Sequence, residues 1–229
     1  MTIDTSKLYD FNPPASSILL TAFQRAGLRP GGLTATHIRE GQAALNYILS
    51  ELSNIQPSLW EISLISIPLR ESVATYSVPA ETVQILDLYI SYGDPQTDRY
   101  LYPLSRTEYA SIPNKDNEAF PNQFWFSRLI SPTVTFWPVP DGNGPYVARY
   151  YSVRQTQDAV LANGKTVEIP YRWLDCYTSG VAWKLAELYS PQLEDKLFSR
   201  YTRALNIATT QDVENVALYI QPGLSGYYR

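Results

Sequence analysis

The chain has 229 residues, of which 45% are hydrophobic and 17% charged, with a formal net charge of −4; it is long enough to bury a core as one domain or two small ones and too apolar for disorder. The acidic balance argues against a surface built to neutralise nucleic-acid phosphates, which needs a basic excess in at least one patch. A single cysteine, Cys176, and a single histidine, His37, exclude an internal disulfide framework, a Cys-rich zinc site and any zinc site that needs two or three histidines.

In chain order, Met1 to Asp10 is polar and lacks a basic stretch followed by an apolar one, so no secretory signal is expected. Ser16 or Ser17 is expected to cap a helix running to about Leu28, with Leu19, Leu20, Phe23 and Ala26 as its apolar face and Arg29-Pro30-Gly31-Gly32 ending it. A second helix is expected from about Thr34 to Asn54, where Ile38, Leu45, Ile48, Leu49 and Leu52 recur on one face. After Pro57, the alternation of Trp60, Ile62 and Leu64 with Glu61 and Ser63 predicts a half-buried strand.

From Pro68 to about Pro170 the text changes to short β-type runs separated by proline and turn residues. Strands are expected at Val83 to Ser91, Tyr100-Leu101-Tyr102, Phe124 to Phe126, Val134 to Trp137 and Tyr146 to Val153. Gly93-Asp94-Pro95 supplies one turn, and Asp141-Gly142-Asn143-Gly144 reads as a hairpin joining the last two strands. Asn163-Gly164 reads as a further hairpin between Val160-Leu161 and Thr166 to Ile169. The spacing points to an antiparallel sheet, sandwich or small barrel, with Pro79, Pro103, Pro132 and Pro138 at edges or strand ends.

Helix returns near Pro170, with Trp173, Leu174, Tyr177, Val181, Leu185 and Leu188 forming a seam and Gly180 permitting close helix approach. Ser190-Pro191 opens a last helix with Leu193, Leu197, Tyr201, Leu205 and Ala208 on one face. The expected class is α+β. A helical hairpin at 1–67 and another at 170–212 form one four-helix body, 68–169 is a β-rich insertion, and 213–229 is an extended C-terminal arm. Leu218, Tyr219, Ile220, Leu224, Tyr227, Tyr228 and Arg229 make that arm too apolar for a solvated linker, so it reads as a segment that docks on a neighbouring chain rather than as a frayed terminus.

The chain offers little for chemistry. His37 has no nucleophile motif near it, and Cys176 reads as a packed helix thiol. Asp94 with Asp98 and Asp116 with Glu118 are loop carboxylates that resemble a glycosidase pair only in residue type. Asp141-Gly142-Asn143-Gly144 lacks the later glutamate of a calcium loop. No cofactor, metal site or enzyme activity is expected. Phe120, Phe124, Trp125, Phe126, Phe136 and Trp137 are explained most simply as the core of the β segment, with sugar stacking as the rival reading.

One ordering of short motifs carries a resemblance: Tyr76-Ser77-Val78-Pro79 before a strand, Leu104-Ser105-Arg106-Thr107-Glu108-Tyr109, Phe120-Pro121 before Phe124-Trp125, Phe136-Trp137-Pro138-Val139-Pro140-Asp141-Gly142, the strand Val147 to Tyr151, and Glu168-Ile169-Pro170 entering a long helix. Over roughly residues 16 to 210 this resembles the head-to-tail adaptor, or neck, proteins of short-tailed bacteriophages, of the tail tubular protein A and packaged-DNA-stabilisation type. The resemblance implies a structural virion protein made in the host cytoplasm. It implies a ring, usually of twelve copies, between the portal protein and the distal tail or nozzle protein, sealing packaged double-stranded DNA and then passing it without specific binding. No membrane is involved. The excess of tyrosine, 18 residues, suits such interfaces. A carbohydrate- or receptor-binding virion protein is the alternative, and a hydrolase using the loop carboxylates a more distant one.

Overall fold

The computed structural model of the chain describes residues 10–55, 59–162 and 164–212. In chain order its elements are α1 (Ala15–Arg25), α2 (Ala35–Ile55), β1 (Ile62–Pro68), β2 (Thr75–Ser77), β3 (Thr82–Tyr92), β4 (Thr97–Tyr100), β5 (Tyr102–Leu104), α3 (Arg106–Ser111), β6 (Gln123–Ser127), β7 (Thr133–Trp137), β8 (Val147–Arg154), α4 (Leu174–Tyr189) and α5 (Glu194–Gln211). The class is α+β: α1, α2, α4 and α5 pack as one body, and the strands form two sheets.

The helical body is organised around α4, which packs against α1, α2 and α5. A helix so placed must be acceptable to its neighbours nearly all round, and Leu174, Cys176, Tyr177, Ser179, Gly180, Val181, Leu185 and Ala186 are all buried. The other three helices bury one stripe each: Leu19, Ala22 and Phe23 from α1, Leu45, Ile48 and Leu52 from α2, Leu197, Tyr201 and Ala208 from α5. Gly180 marks a close approach. A Cβ built there would lie 3.0 Å from the Tyr201 ring and 3.2 Å from two carbons of Ile48. Gly41 plays the same part between α2 and α1, where a Cβ would fall 2.6 Å from Leu19.

Details of the helix ends differ from expectation. Neither Ser16 nor Ser17 caps α1, which begins at Ala15 behind Pro14. It stops at Arg25 rather than Leu28, because Gly27 takes φ +86° and the amides of Gly27 and Leu28 turn back to the carbonyls of Gln24 and Phe23. That is a Schellman ending, open to glycine at no steric cost. Leu20, Ile38 and Leu188, assigned to apolar faces, lie exposed.

The first sheet has the order β1-β8-β3-β4 and is antiparallel throughout. The second has the order β2-β7-β6-β5, with β5 and β6 parallel and α3 in the connection between them. Both sheets contribute to one core: Leu88, Ile90, Ala148 and Tyr150 from the first, Phe124, Val134 and Phe136 from the second. Tyr100-Leu101-Tyr102 is not one strand. Leu101 is fully buried where the chain leaves the first sheet for the second, its amide donating to Leu88 and that of Tyr102 to Asn122.

Both glycine-marked hairpins of the sequence reading are corrected. β7 and β8 belong to different sheets, so Asp141 to Gly144 is a crossing between sheets. Its Asp141 carboxylate accepts from the Asn143 amide (3.1 Å) and the Tyr146 hydroxyl (2.7 Å), a local Asx turn that needs no paired strand. Among the described residues of 160–169 there is no strand. The segment lies on the helical body instead, burying Val167 and Ile169 in its core and making a single bridge from Thr166 to Pro14.

The chain passes between the two bodies twice, at Glu61–Ile62 and at Arg154–Gln155. Trp60 lies in a short helical turn rather than on a strand, and packs on Trp173 of the helical body at 5.4 Å. Strand β1 runs across the expected boundary at 67/68, since all of Ile62–Pro68 pairs with β8. Arg154 grips Glu168 with two guanidinium nitrogens, and the Thr156 hydroxyl donates to the buried Glu61 carboxylate. Arg172 lies over the Trp60 ring and pairs with Asp212 at 2.5 Å. These contacts fix the base of the β body on the helices.

Candidate assembly surfaces

The residues considered for chemistry hold their own local structure. Thr34 precedes α2, and the His37 ring nitrogen Nδ1 accepts from the Thr34 amide (2.9 Å), while the ring packs on Tyr189 at 4.6 Å. His37 thus stands in for the glutamate of a capping box. Cys176 is buried, and burial pushes its thiol up to about 12. Asp98 accepts from Ser91 (2.6 Å) on the paired strand, and this holds its carboxyl below the usual range. Glu118 accepts from Ser72 (2.5 Å), and the Asp116 amide donates to the Asn114 side chain (3.2 Å). The Asp98 and Glu118 carboxylates are thus each held by a serine hydroxyl of a neighbouring segment.

The aromatic set divides. Phe124 and Phe136 are core residues. Trp125 is stacked on Tyr109 of α3 at 5.1 Å, and the Trp137 indole donates to the Asn114 carbonyl at 3.0 Å. Phe120 packs edge-on to Tyr92 and Tyr146 and is covered by Arg99. One face of the Trp125 ring is therefore covered by Tyr109, and the Phe120 ring by Arg99. Helix α3 itself went unread in the sequence although Ser105-Arg106-Thr107-Glu108 carries a capping box. The Ser105 hydroxyl accepts from the Glu108 amide, and the Glu108 carboxylate accepts from the Ser105 amide at 2.7 Å.

What the fold exposes is apolar surface in places that do not serve its own cores. The β6–β7 turn projects Leu129 and Ile130, 69% and 98% exposed. Two adjacent aliphatic side chains left in water at a hairpin tip are available for contact with another surface. Tyr100 and Tyr102, packed edge to face at 5.6 Å, stand out at the strand switch, and Tyr47 and Tyr171 on the helical body. Tyrosine therefore serves two ends: Tyr150, Tyr177 and Tyr201 are buried, and Tyr47, Tyr100, Tyr102 and Tyr171 present a ring to solvent.

A family model, the SU10 adaptor protein, matches residues 17–221. The chain belongs to the SU10 adaptor protein family. The adaptor is accordingly a structural protein of the bacteriophage virion that joins head and tail components. The match extends through α5 into the segment that follows it. No curated protein matches the chain at a significant level. Among the described residues no helix of the adaptor is long and apolar enough to cross a membrane. The arm residues Leu218, Tyr219, Ile220, Leu224, Tyr227, Tyr228 and Arg229 lie outside the described residues.

Proposed function

We propose that this adaptor assembles as a ring of twelve copies between the portal protein and the distal tail protein. In that position it seals packaged DNA and then serves as the conduit for ejection. The observation that carries the reading is the exposed aliphatic tip at Leu129-Ile130 on one body together with exposed tyrosines on both. A ring of identical subunits needs two different complementary patches per copy, and both bodies offer one. The net charge of −4 favours a channel that lets phosphates slide, since a strongly basic lining would hold the DNA back. The 213–229 arm, through Leu218 to Ile220 and Leu224 to Arg229, docks on the portal or a neighbouring subunit.

Light scattering of the protein alone and with the portal ring of the same virus tests this. The full chain is expected to join the portal at about a dozen copies and a chain truncated after Asp212 to join more weakly. Failure of both to join overturns the portal reading; equal incorporation of both overturns the role of the arm.

A further inference from the structure

The two sheets end in four edge strands, β1 and β4 in the first, β2 and β5 in the second. A free edge carries unpaired amides and carbonyls, and proteins keep other chains off it by shortness, charge, proline or a bulge. Three of the four edges follow that rule: β2 and β5 have three residues each, β5 with Pro103 at its centre, and β4 has four, among them Asp98 and Arg99. β1 does not. Its seven residues, Ile62-Ser63-Leu64-Ile65-Ser66-Ile67-Pro68, hold no charge, and their register with β8 runs without a shift.

Which amides are free follows from the ladder. The Leu69 amide donates to the Tyr146 carbonyl (2.9 Å) in continuation of the β1–β8 register, and bonded pairs recur at every second residue, so Ile67, Ile65 and Ser63 bond to β8. The amides of Ile62, Leu64 and Ser66 point away from β8, and none has a partner among the described residues. At the opposite edge the Leu101 amide donates to the Leu88 carbonyl (2.9 Å), which turns Arg99 and Thr97 towards β3 and leaves the amides of Asp98 and Tyr100 pointing out. The side chains agree. Ile65 and Ile67 turn to the core between the sheets, whereas Leu64, 50% exposed, and Ser66 stand on the outer face. The register carries Ser66 through Arg149 and Tyr89 to Tyr100, 46% exposed on that same face.

We propose that β1 of one copy pairs with β4 of a second copy, so that the first sheet continues from subunit to subunit. The strand directions suit it. β1, β8, β3 and β4 alternate, so in a head-to-tail repeat β4 of the next copy runs antiparallel to β1, like every other pair in this sheet. Matching free amides to free amides sets the register: Leu64 faces Tyr100 and Ser66 faces Asp98 of the neighbouring copy, which makes about four backbone bonds. Sliding β4 along to set Asp98 opposite Pro68 loses a bond, because proline has no amide to give. The matched register also lays Leu64 beside a tyrosine ring and the Ser66 hydroxyl beside a carboxylate, both favourable cross-strand pairs. The proposal rests on the ring reading above, since β1 paired with β1 of a second copy would close a two-fold dimer and stop there.

The test uses the full chain carrying Leu64→Cys and Tyr100→Cys with the portal ring of the same virus, incorporation being read by light scattering before mild oxidation. Across a bonded antiparallel pair the Cα atoms lie about 5.5 Å apart, within disulfide reach, whereas within one chain the two positions are separated by three strand spacings, about 14 Å. Cys176 is buried and stays out of the reaction. The double variant is expected to give a ladder of covalently linked copies extending beyond the dimer, an equal mixture of the two single variants to give dimers only, and either single variant alone to give at least about tenfold less product. Dimers from Leu64→Cys alone place β1 against β1 and overturn the proposal. Incorporation without cross-links also overturns it and leaves the ring reading standing, whereas failure of the parent chain to incorporate overturns both. As a second measurement, Ser66→Pro removes an outward amide and leaves the β8 ladder whole. Its circular dichroism spectrum is expected to match the parent's while its incorporation falls at least about fivefold, and unchanged incorporation overturns the proposal.

Discussion

Replacing Gly180 by alanine sets two effects of known size against each other. In an ordinary helix interior the change gains about 1 kcal/mol from propensity. Here the new methyl would sit 3.0 Å from the Tyr201 ring and 3.2 Å from Ile48 Cδ1 and Cγ2. Neither neighbour yields easily. The Tyr201 hydroxyl donates to Glu51 (3.0 Å) and its ring stacks on Trp183 with an interplanar angle of 14°, while Ile48 is fully buried. Overpacking of this kind costs about 1–3 kcal/mol, so the net expectation is a loss of about 1 kcal/mol, or a Tm lower by about 2–4 °C for a chain of this length. Gly32→Ala, where a Cβ meets nothing within 4 Å, serves as the control and should be near neutral. Urea unfolding followed by circular dichroism reads both. Ile48→Val removes one of the crowding methyl groups, so its own cost of about 0.5–1.5 kcal/mol should shrink in the Gly180→Ala background. A stabilisation of about 1 kcal/mol by Gly180→Ala would refute the packing argument, because propensity alone would then have decided the outcome.

Three further expectations follow from other parts of the fold. Tyr150 is fully buried and its hydroxyl has no hydrogen-bond partner among the described residues, burial pushing its pKa up to about 12; Tyr150→Phe should therefore stabilise by about 1 kcal/mol, and a loss of stability in thermal unfolding would mean the hydroxyl is satisfied. Glu61 is 2% exposed, and burial raises its carboxyl above 4.5; the native state thus binds its proton more readily than the unfolded chain, and charge burial opposes folding at neutral pH but is relieved as pH falls through the raised value. Glu61→Gln keeps an acceptor for Thr156 and should unfold at higher temperature than the parent at pH 7.5, with the gap closing towards pH 4.5; a lower Tm at pH 7.5 would contradict this. Leu129→Ser with Ile130→Ser should leave Tm within about 1 °C, since both side chains are exposed, yet reduce incorporation into portal complexes, and unchanged incorporation would remove the hairpin tip from the interface.

The helical body was legible because its information is local. Leu45, Ile48, Leu49 and Leu52 repeat at helical spacing, Gly180 stands where two helices crowd a third, and Ser190-Pro191 marks a start. The positions of β3, β6, β7 and β8 were legible for the same reason, whereas β2, β4 and β5 are too short to show an alternation. Strand partners were not, since pairing is a property of residues far apart: β8 lies between β1 and β3, whose pairing begins at Ile62 and Thr82 and reaches Val153 and Arg154. Asp141 to Gly144 carries every composition signal of a hairpin, yet its aspartate closes the turn on itself, and the strand that follows is then free to join the other sheet. The capping box at Ser105 was readable and went unread because α3, at Arg106–Ser111, is too short to show an apolar period.

The exposed contact residues are harder to read for a different reason. In sequence, Leu129-Ile130 is indistinguishable from any other apolar pair beside a strand; only the length of β6 and β7, ending at Ser127 and resuming at Thr133, puts both side chains beyond the last ladder bond. Placement then gives them meaning. β7 and β2 end together at Thr133 and Ser77, and the chain from Ser77 leads directly into β3 at the end where Arg154 pairs with Thr82. The tip therefore lies at the end of the β body that adjoins the helices, where Glu61, Thr156, Arg154 and Glu168 pin one body to the other. A contact made at Leu129-Ile130 by a neighbouring subunit acts close to that pinned joint rather than at the far end of a lever, so it holds both bodies at once. Weakening the joint by Arg154→Ala should accordingly impair assembly more than the loss of one surface charge would, because the tip would no longer be presented at a fixed angle.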